Sequence, residues 1–136
     1  MKMTLKSAAD VRADRRVALK STLAEIRWTH QTGGLSLPDG TFIRTDDHTR
    51  AALTEAVNSL KAGVLSVPVP WKMANGHWAD LGETDLLGIT AAVTAHVQAS
   101  FAAERAVSAQ IDATTNPDGF DISAAFTTAL TPQNPT

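Results

Sequence analysis

The chain has no cysteine and no tyrosine, and aromatic residues fill only 5% of its 136 positions. Without cysteine there is no disulfide, no thiolate nucleophile and no zinc site that depends on sulfur. The absence fits a cytosolic origin. No uninterrupted run reaches the roughly 18 apolar residues of a membrane helix. The opening Met-Lys-Met-Thr-Leu-Lys has no apolar core behind its lysines, which argues against a secretory signal. Neither sign of charge dominates, the net being −2. The basic amino-terminal stretch has no aromatic before Trp28 and no glycine-rich loop, so nucleic-acid binding is not expected. Hydrophobic content of 43% against 19% charged predicts one folded domain with a real core.

The charge is unevenly placed. Residues 1–27 hold seven Lys or Arg against three acids, and residues 83–136 hold one against six. Such ends steer copies or partners together, or are simply two solvated helix faces.

Hydrophobic spacing predicts a first helix from Ser7 to about Thr32, with Val11, Leu19, Leu23 and Ile26 on one stripe and Gly33-Gly34 as its stop. A hairpin follows, Leu35 to Arg44, turning at Pro38-Asp39-Gly40 through a type I turn with glycine at the bulge. Thr45 or Asp46 caps a second helix that ends at Ala62, before Gly63. Val64 to Val69 reads as extended, and Pro68 and Pro70, which cannot donate to a ladder, put it at a sheet edge or make it start its pairing late. Asn75-Gly76 then signals a second hairpin with a two-residue type I′ loop, pairing Met73 with Trp78 and Trp71 with Asp80. In that register Trp71, Met73 and Trp78 share one face, which packs on helices or serves as an exposed anchor. Thr84 caps the longest helix, to about Ala113, with Ile89, Val93, Val97 and Phe101 spaced by four. A tail carrying Phe120, Ile122, Phe126 and Leu130 docks on its own domain or on a partner.

The expectation is an α+β fold of three helices, the third long, alternating with two short β-hairpins in one small antiparallel sheet. Its segments are a helical attachment segment (1–33), a helix and hairpin domain (34–113) and a docking tail (114–136).

Catalytic chemistry is hard to find. Thr45-Asp46-Asp47-His48-Thr49-Arg50 is the densest polar cluster, and its two carboxylates and imidazole are the residue types that bind a metal or transfer protons, but consecutive helical residues point in different directions and do not converge on one ion. The cluster reads as a helix cap. His96 lies beside Val93 and Val97 with Ser100 four residues on, so it reads as a core-edge histidine with a polar partner. Gly33-Gly34 lacks the lysine and spacing of a phosphate loop, and no serine sits in a nucleophile elbow. The residues therefore predict no enzyme, no cofactor and no metal.

Three motifs carry a resemblance. They are Leu37-Pro-Asp-Gly-Thr-Phe-Ile-Arg-Thr-Asp-Asp47 with Arg50-Ala-Ala-Leu53, then Val69-Pro-Trp-Lys-Met-Ala-Asn-Gly76 with Leu81, then Ile89 to Glu104 ending near Ile111-Asp-Ala113. In order and spacing they resemble a small bacteriophage tail-associated domain family of unknown function, found beside tail-fibre genes or as a terminal module of tail proteins. The resemblance implies a non-catalytic virion protein at the tail tip, baseplate or fibre, made and assembled in the host cytoplasm. Its partners would be other tail proteins, without nucleic acid, membrane or small-molecule substrate. The alternative is an assembly chaperone that leaves before the virion matures. The long third helix and the opposite charges of the two ends suggest a homo-oligomer, a trimer first. On this reading, removing residues 114–136 weakens incorporation into particles and leaves the domain folded.

Overall fold

Among the described residues four glycines have positive φ, Gly34, Gly40, Gly63 and Gly76, and they stand after the first helix, at the two hairpin turns and after the second helix. The computed structural model describes residues 5–131. The readings of the Met1–Thr4 start and of the proline-containing 132–136 end fall outside the described residues. The order is α1 (Ala8–Thr32), β1 (Leu35–Ser36), β2 (Phe42–Ile43), α2 (Asp47–Lys61), β3 (Val69–Lys72), β4 (Trp78–Leu81), α3 (Glu83–Ala113), a 3-10 turn (Pro117–Gly119) and α4 (Ile122–Leu130). The α+β class is the expected one. The tail adds a fourth helix, and the hairpins form two separate two-stranded sheets, not one.

Three helix starts follow capping chemistry. The Ser7 hydroxyl accepts from the Asp10 N–H at 3.1 Å, the Asp46 carboxylate from Thr49 at 2.9 Å, and Asp121 from Ala124 at 3.1 Å. Two expected caps are corrected. Thr45 is fully buried and serves the end of α1: its hydroxyl donates to the Gln31 carbonyl at 2.6 Å and accepts from the Gly34 N–H at 2.9 Å. Thr84 lies one residue inside α3. There Asp85 reaches back to the Gly82 N–H at 2.9 Å, the returning half of a capping box.

The two hairpins share one turn. Leu37 N–H bonds the Thr41 carbonyl and Gly40 N–H the Leu37 carbonyl; Met73 N–H bonds the His77 carbonyl and Gly76 N–H the Met73 carbonyl. Asp39 accepts from the Thr41 N–H and Asn75 from the His77 N–H. Positive φ occurs among the described residues only at glycines, with Gly40 at 88° and Gly76 at 86°. Asn75 is therefore not left-handed, and a type I′ loop, which needs two such residues, is excluded. Both loops have three residues, a type I turn closed by a glycine bulge. The second hairpin is thus displaced by one residue from the expected register: Trp71 pairs with Ala79 and Lys72 with Trp78. A one-residue slip exchanges the faces of one strand. Val69, Trp71, Met73, Ala79 and Leu81 face the core, while Trp78 is 70% exposed.

The chain divides into two compact units. The first is Thr29–Gln98, whose core is Ile43, Leu53, Ala56, Val57, Val69, Leu81, Leu86 and Val93. Both hairpins lay their apolar faces on this cluster, with Leu35, Leu37, Trp71 and Met73 packed against it. The second unit joins the chain up to Trp28 with the chain from Ala99 onward. The two terminal segments meet in this unit. Its core is Leu19, Leu23, Ala103, Val107, Ile111, Ile122 and Phe126, with Phe120 and Leu130 packed at the edge. The tail residues thus dock on their own chain and cover the last turns of α3.

The opposite charges of the two ends also meet inside this unit. Lys20 pairs with Asp112 at 2.7 Å, Arg15 with Asp118 at 3.7 Å, and the half-buried Arg27 with Glu104 at 3.2 Å. Arg27 also lies 4.6 Å from the Phe101 ring centre. The last turn of α3 has no basic residue of its own. Arg16 supplies the charge from α1, donating to the carbonyls of Ile111 and Thr114.

Along α3 the buried side chains are Leu86, Val93, Val97, Ser100, Ala103, Val107 and Ile111. A strict four-residue step drifts by about 40° each time on a helix of 100° per residue. The buried seam steps back three, from Val97 to Ser100, and Phe101 turns out, 42% exposed. By length and mean hydropathy (1.4) this helix is apolar enough to cross a membrane, although polar residues interrupt its run; a third of that stretch is buried against the chain itself.

Candidate functional site

Within the Thr29–Gln98 unit, a cleft of about 590 Å³ opens between the two hairpins and the first turns of α2. One wall is Phe42, Ile43 and Arg44 from the end of the first hairpin. The other runs from Trp71 to Gly76 along the second. Leu53, Ala52 and Ile89 form the floor, and His48 and Thr49 stand at its edge. The first two motifs singled out in the sequence contribute most of this lining, and the third contributes its first residue, Ile89.

Local structure explains the convergence. The bulged turns put Leu37 and Met73 at corresponding hairpin positions and send the strands back over α2. Gly34, at φ 91°, lets the first hairpin leave α1; a Cβ there would stand 2.2 Å from the Phe42 ring. The tip of the Phe42 ring thus lies against Gly34, with 47% of the residue's surface open. Pro70 pairs opposite Asp80, a position that needs no ladder N–H because the neighbouring pairs carry the hydrogen bonds.

The cleft has an apolar base, and Arg44, Lys72 and His48 are among its lining residues, with no carboxylate among the described residues that line it. The Lys72 side chain lies with its cross-strand partner Trp78 on the strand face opposite Trp71 and Met73. The nearest acids in sequence have other work. Asp46 is held below the usual carboxylate range first by the hydrogen bonds from Thr49, then by the nearby charges of His48 and Arg44. Asp47 pairs with Arg50 at 3.5 Å. Of the expected hairpin face, Trp71 and Met73 line the cleft, and Trp78 points away on the opposite strand face. Phe42, Arg44 and Lys72 carry no individual signal in the sequence beyond their place inside the motifs. His48 belongs to the polar cluster read as a helix cap and falls between two pieces of the first motif.

A second groove, about 830 Å³, runs between α2 and α3 and is lined by Asp47, Arg50, Thr54, Asn58 and Thr90 over Leu53 and Val93. The Thr90 hydroxyl is buried there with no hydrogen-bond partner. His30 and His96 face each other with ring centres 4.7 Å apart, and His96 Nε2 donates to the His30 carbonyl at 2.9 Å. Burial, and then the charge of His96, push His30 below its ordinary value. Neither imidazole lines the cleft. Among the described residues, no three His, Asp or Glu side chains are grouped so as to hold a metal ion.

A family model described as a domain of unknown function (DUF4376) matches residues 14–125, well over half of the chain. The chain belongs to that family. The DUF4376 match includes the whole Thr29–Gln98 unit with both hairpins, and it extends through most of α1 and into α4. Comparison with curated proteins and with solved structures finds no match.

Proposed function

We propose that this DUF4376 chain is a non-catalytic structural protein of a bacteriophage tail, at the tip, baseplate or fibre, which works by binding other tail proteins. The observation that carries the interaction reading is that the first two motifs, with Ile89 of the third, meet at one open cleft. Its lining offers the aromatic rings of Phe42 and Trp71, the Met73 thioether and the exposed Arg44. The phage assignment is supported by the resemblance of those same motifs.

Self-association, with a trimer as the first expectation, belongs to this proposal but has weaker support than the sequence suggested. The charged ends pair within the chain, and the end of α3 is covered by α1 and α4. Exposed Leu87 and Phe101 remain available on α3.

Mass spectrometry of purified particles tests the proposal. A stoichiometric copy number per virion is the expected result. Presence in infected cells with absence from mature particles would replace it with the assembly-chaperone reading. Light scattering of the isolated protein measures the oligomer.

A further inference from the structure

We infer that Asn75, at the tip of the second hairpin, is a site of spontaneous covalent modification, where the side-chain amide is lost through a cyclic imide formed with the Gly76 nitrogen. The inference goes beyond the interaction reading and does not rest on it. Four asparagines occur in the chain, and the residue after each one sorts them. Asn116 and Asn134 precede proline, whose nitrogen carries no hydrogen and cannot attack. Asn58 precedes Ser59 inside α2, where the helix ladder fixes the path of both residues and uses the Ser59 N–H. Asn75 precedes glycine, and both residues of that pair are exposed.

The hairpin tip brings nucleophile and electrophile together. Gly76 has no side chain to shield its nitrogen, and the space a Cβ would fill there is open. Asn75 Oδ1 accepts from the His77 N–H at 3.0 Å, so a backbone donor is already aimed at the oxygen on which negative charge develops. What restrains the attacking nitrogen is a turn bond, from the Gly76 N–H to the Met73 carbonyl at 2.9 Å, in a solvent-facing loop. When that bond opens, a base takes the Gly76 amide proton and the nitrogen bonds to Cγ of Asn75. The Cγ–Nδ2 bond then breaks, and the amide nitrogen gains a proton and leaves as ammonia. Water opens the imide at either carbonyl, giving aspartate or its β-linked isomer. The first hairpin supplies the contrast. Its tip holds Asp39-Gly40 in the same turn, but the hydrogen bonds from Thr41 keep the Asp39 carboxyl below its ordinary value, and a carboxylate is a poor acceptor of a nucleophile. Either product alters the cleft, which Asn75 and Gly76 help to line. Aspartate adds a negative charge, and the β-linked form adds a methylene to a loop whose path needs Gly76 at φ 86°.

The test is peptide mapping by mass spectrometry of the full chain after days in mildly alkaline buffer, with circular dichroism showing that it stays folded. Trypsin separates the two asparagines that have an N–H after them: peptide 73–105 carries Asn75 and peptide 51–61 carries Asn58. The mass gain of an amide-to-acid exchange should appear at Asn75 in peptide 73–105. Chromatography should resolve both aspartyl isomers, and protein isoaspartyl methyltransferase should methylate the β-linked one. The gain should quicken as pH rises. Asn75→Ser should abolish it while keeping a short polar residue at the turn, and peptide 51–61 should stay unchanged over the same time. No gain at Asn75, a gain seen only once urea has unfolded the chain, or an equal gain at Asn58 would overturn the inference. Aspartate without any β-linked isomer would also overturn it, in favour of direct hydrolysis. The particle measurement is untouched by each of these outcomes.

Discussion

The Thr45 hydroxyl donates to the Gln31 carbonyl, fourteen residues earlier, and holds the end of α1 against the start of α2. It also accepts from the Gly34 N–H, so one buried side chain replaces two hydrogen bonds that water would otherwise make.

Thr45→Val should therefore cost about 1–3 kcal/mol, because both backbone groups lose their partner in a site shut off from solvent. Thr45→Ser should cost less by retaining the hydroxyl. Asp46→Ala, which removes only an ordinary helix cap, should cost about 0.5–2 kcal/mol. Urea unfolding of the three variants gives the ranking.

The hairpin register predicts unequal tryptophans. Trp71→Ala should destabilise by about 2 kcal/mol, since its ring is half-buried against the core. Trp78→Ala should stay within about 0.5 kcal/mol of the parent. Equal losses would restore the two-residue loop, in which both rings share a face. Thermal unfolding of each variant suffices.

How much of this was legible follows from what each signal specifies. Hydrophobic stripes and caps act within one element, so the three long helices, the Asp46 cap and the Gly34 stop could be read directly. Asn75-Gly76 marks a turn but not its length: glycine supplies positive φ in both loop types, and the conformation of Asn75 decides between them. That single residue moved Trp78 out of the cleft. Ser100 and the half-buried Glu104 broke the apolar pattern of α3, so the spacing-by-four reading followed Phe101 instead. The cleft itself needed two hairpins brought together over α2, a long-range relation no local pattern encodes. The tail was read as apolar, but its docking place required knowing that Leu19 and Val107 face it.

Cutting the chain after Ala113 should unfold or strongly destabilise the unit that α4 completes, contrary to a dispensable tail. Ile122 and Phe126 are buried there with Leu19, Leu23, Val107 and Ile111, and at about 1.5–3 kcal/mol for each buried side chain the loss is several kcal/mol. Circular dichroism melting of the truncated chain should show a lowered or lost transition. An unchanged midpoint would mean that α4 contributes nothing to this core.

Acid should weaken the fold in two stages. His30 is held below its ordinary 6.5 by burial and by His96, so the unfolded chain takes up the proton more readily. Its contribution is complete above about 6.5 and is lost as pH falls towards the folded value. Asp46 is held below 3.8 by its bonds from Thr49. Its contribution is present above 3.8 and disappears as pH drops through the folded value. Denaturant midpoints followed from neutral to acid pH should show His30→Asn flattening the first stage. Asp46→Asn should remove the second while keeping a cap.

The bulged turn shared by the two hairpins makes their tips exchangeable parts. Pro38-Asp39-Gly40 and Ala74-Asn75-Gly76 hold the same backbone path, with proline already accepted at the first loop position of one of them. Ala74→Pro should then fit the second tip without disturbing it, raising stability by about 0.4–1 kcal/mol through a stiffer unfolded chain. The cleft wall would become a place where rigidity can be dialled by grafting one tip onto the other.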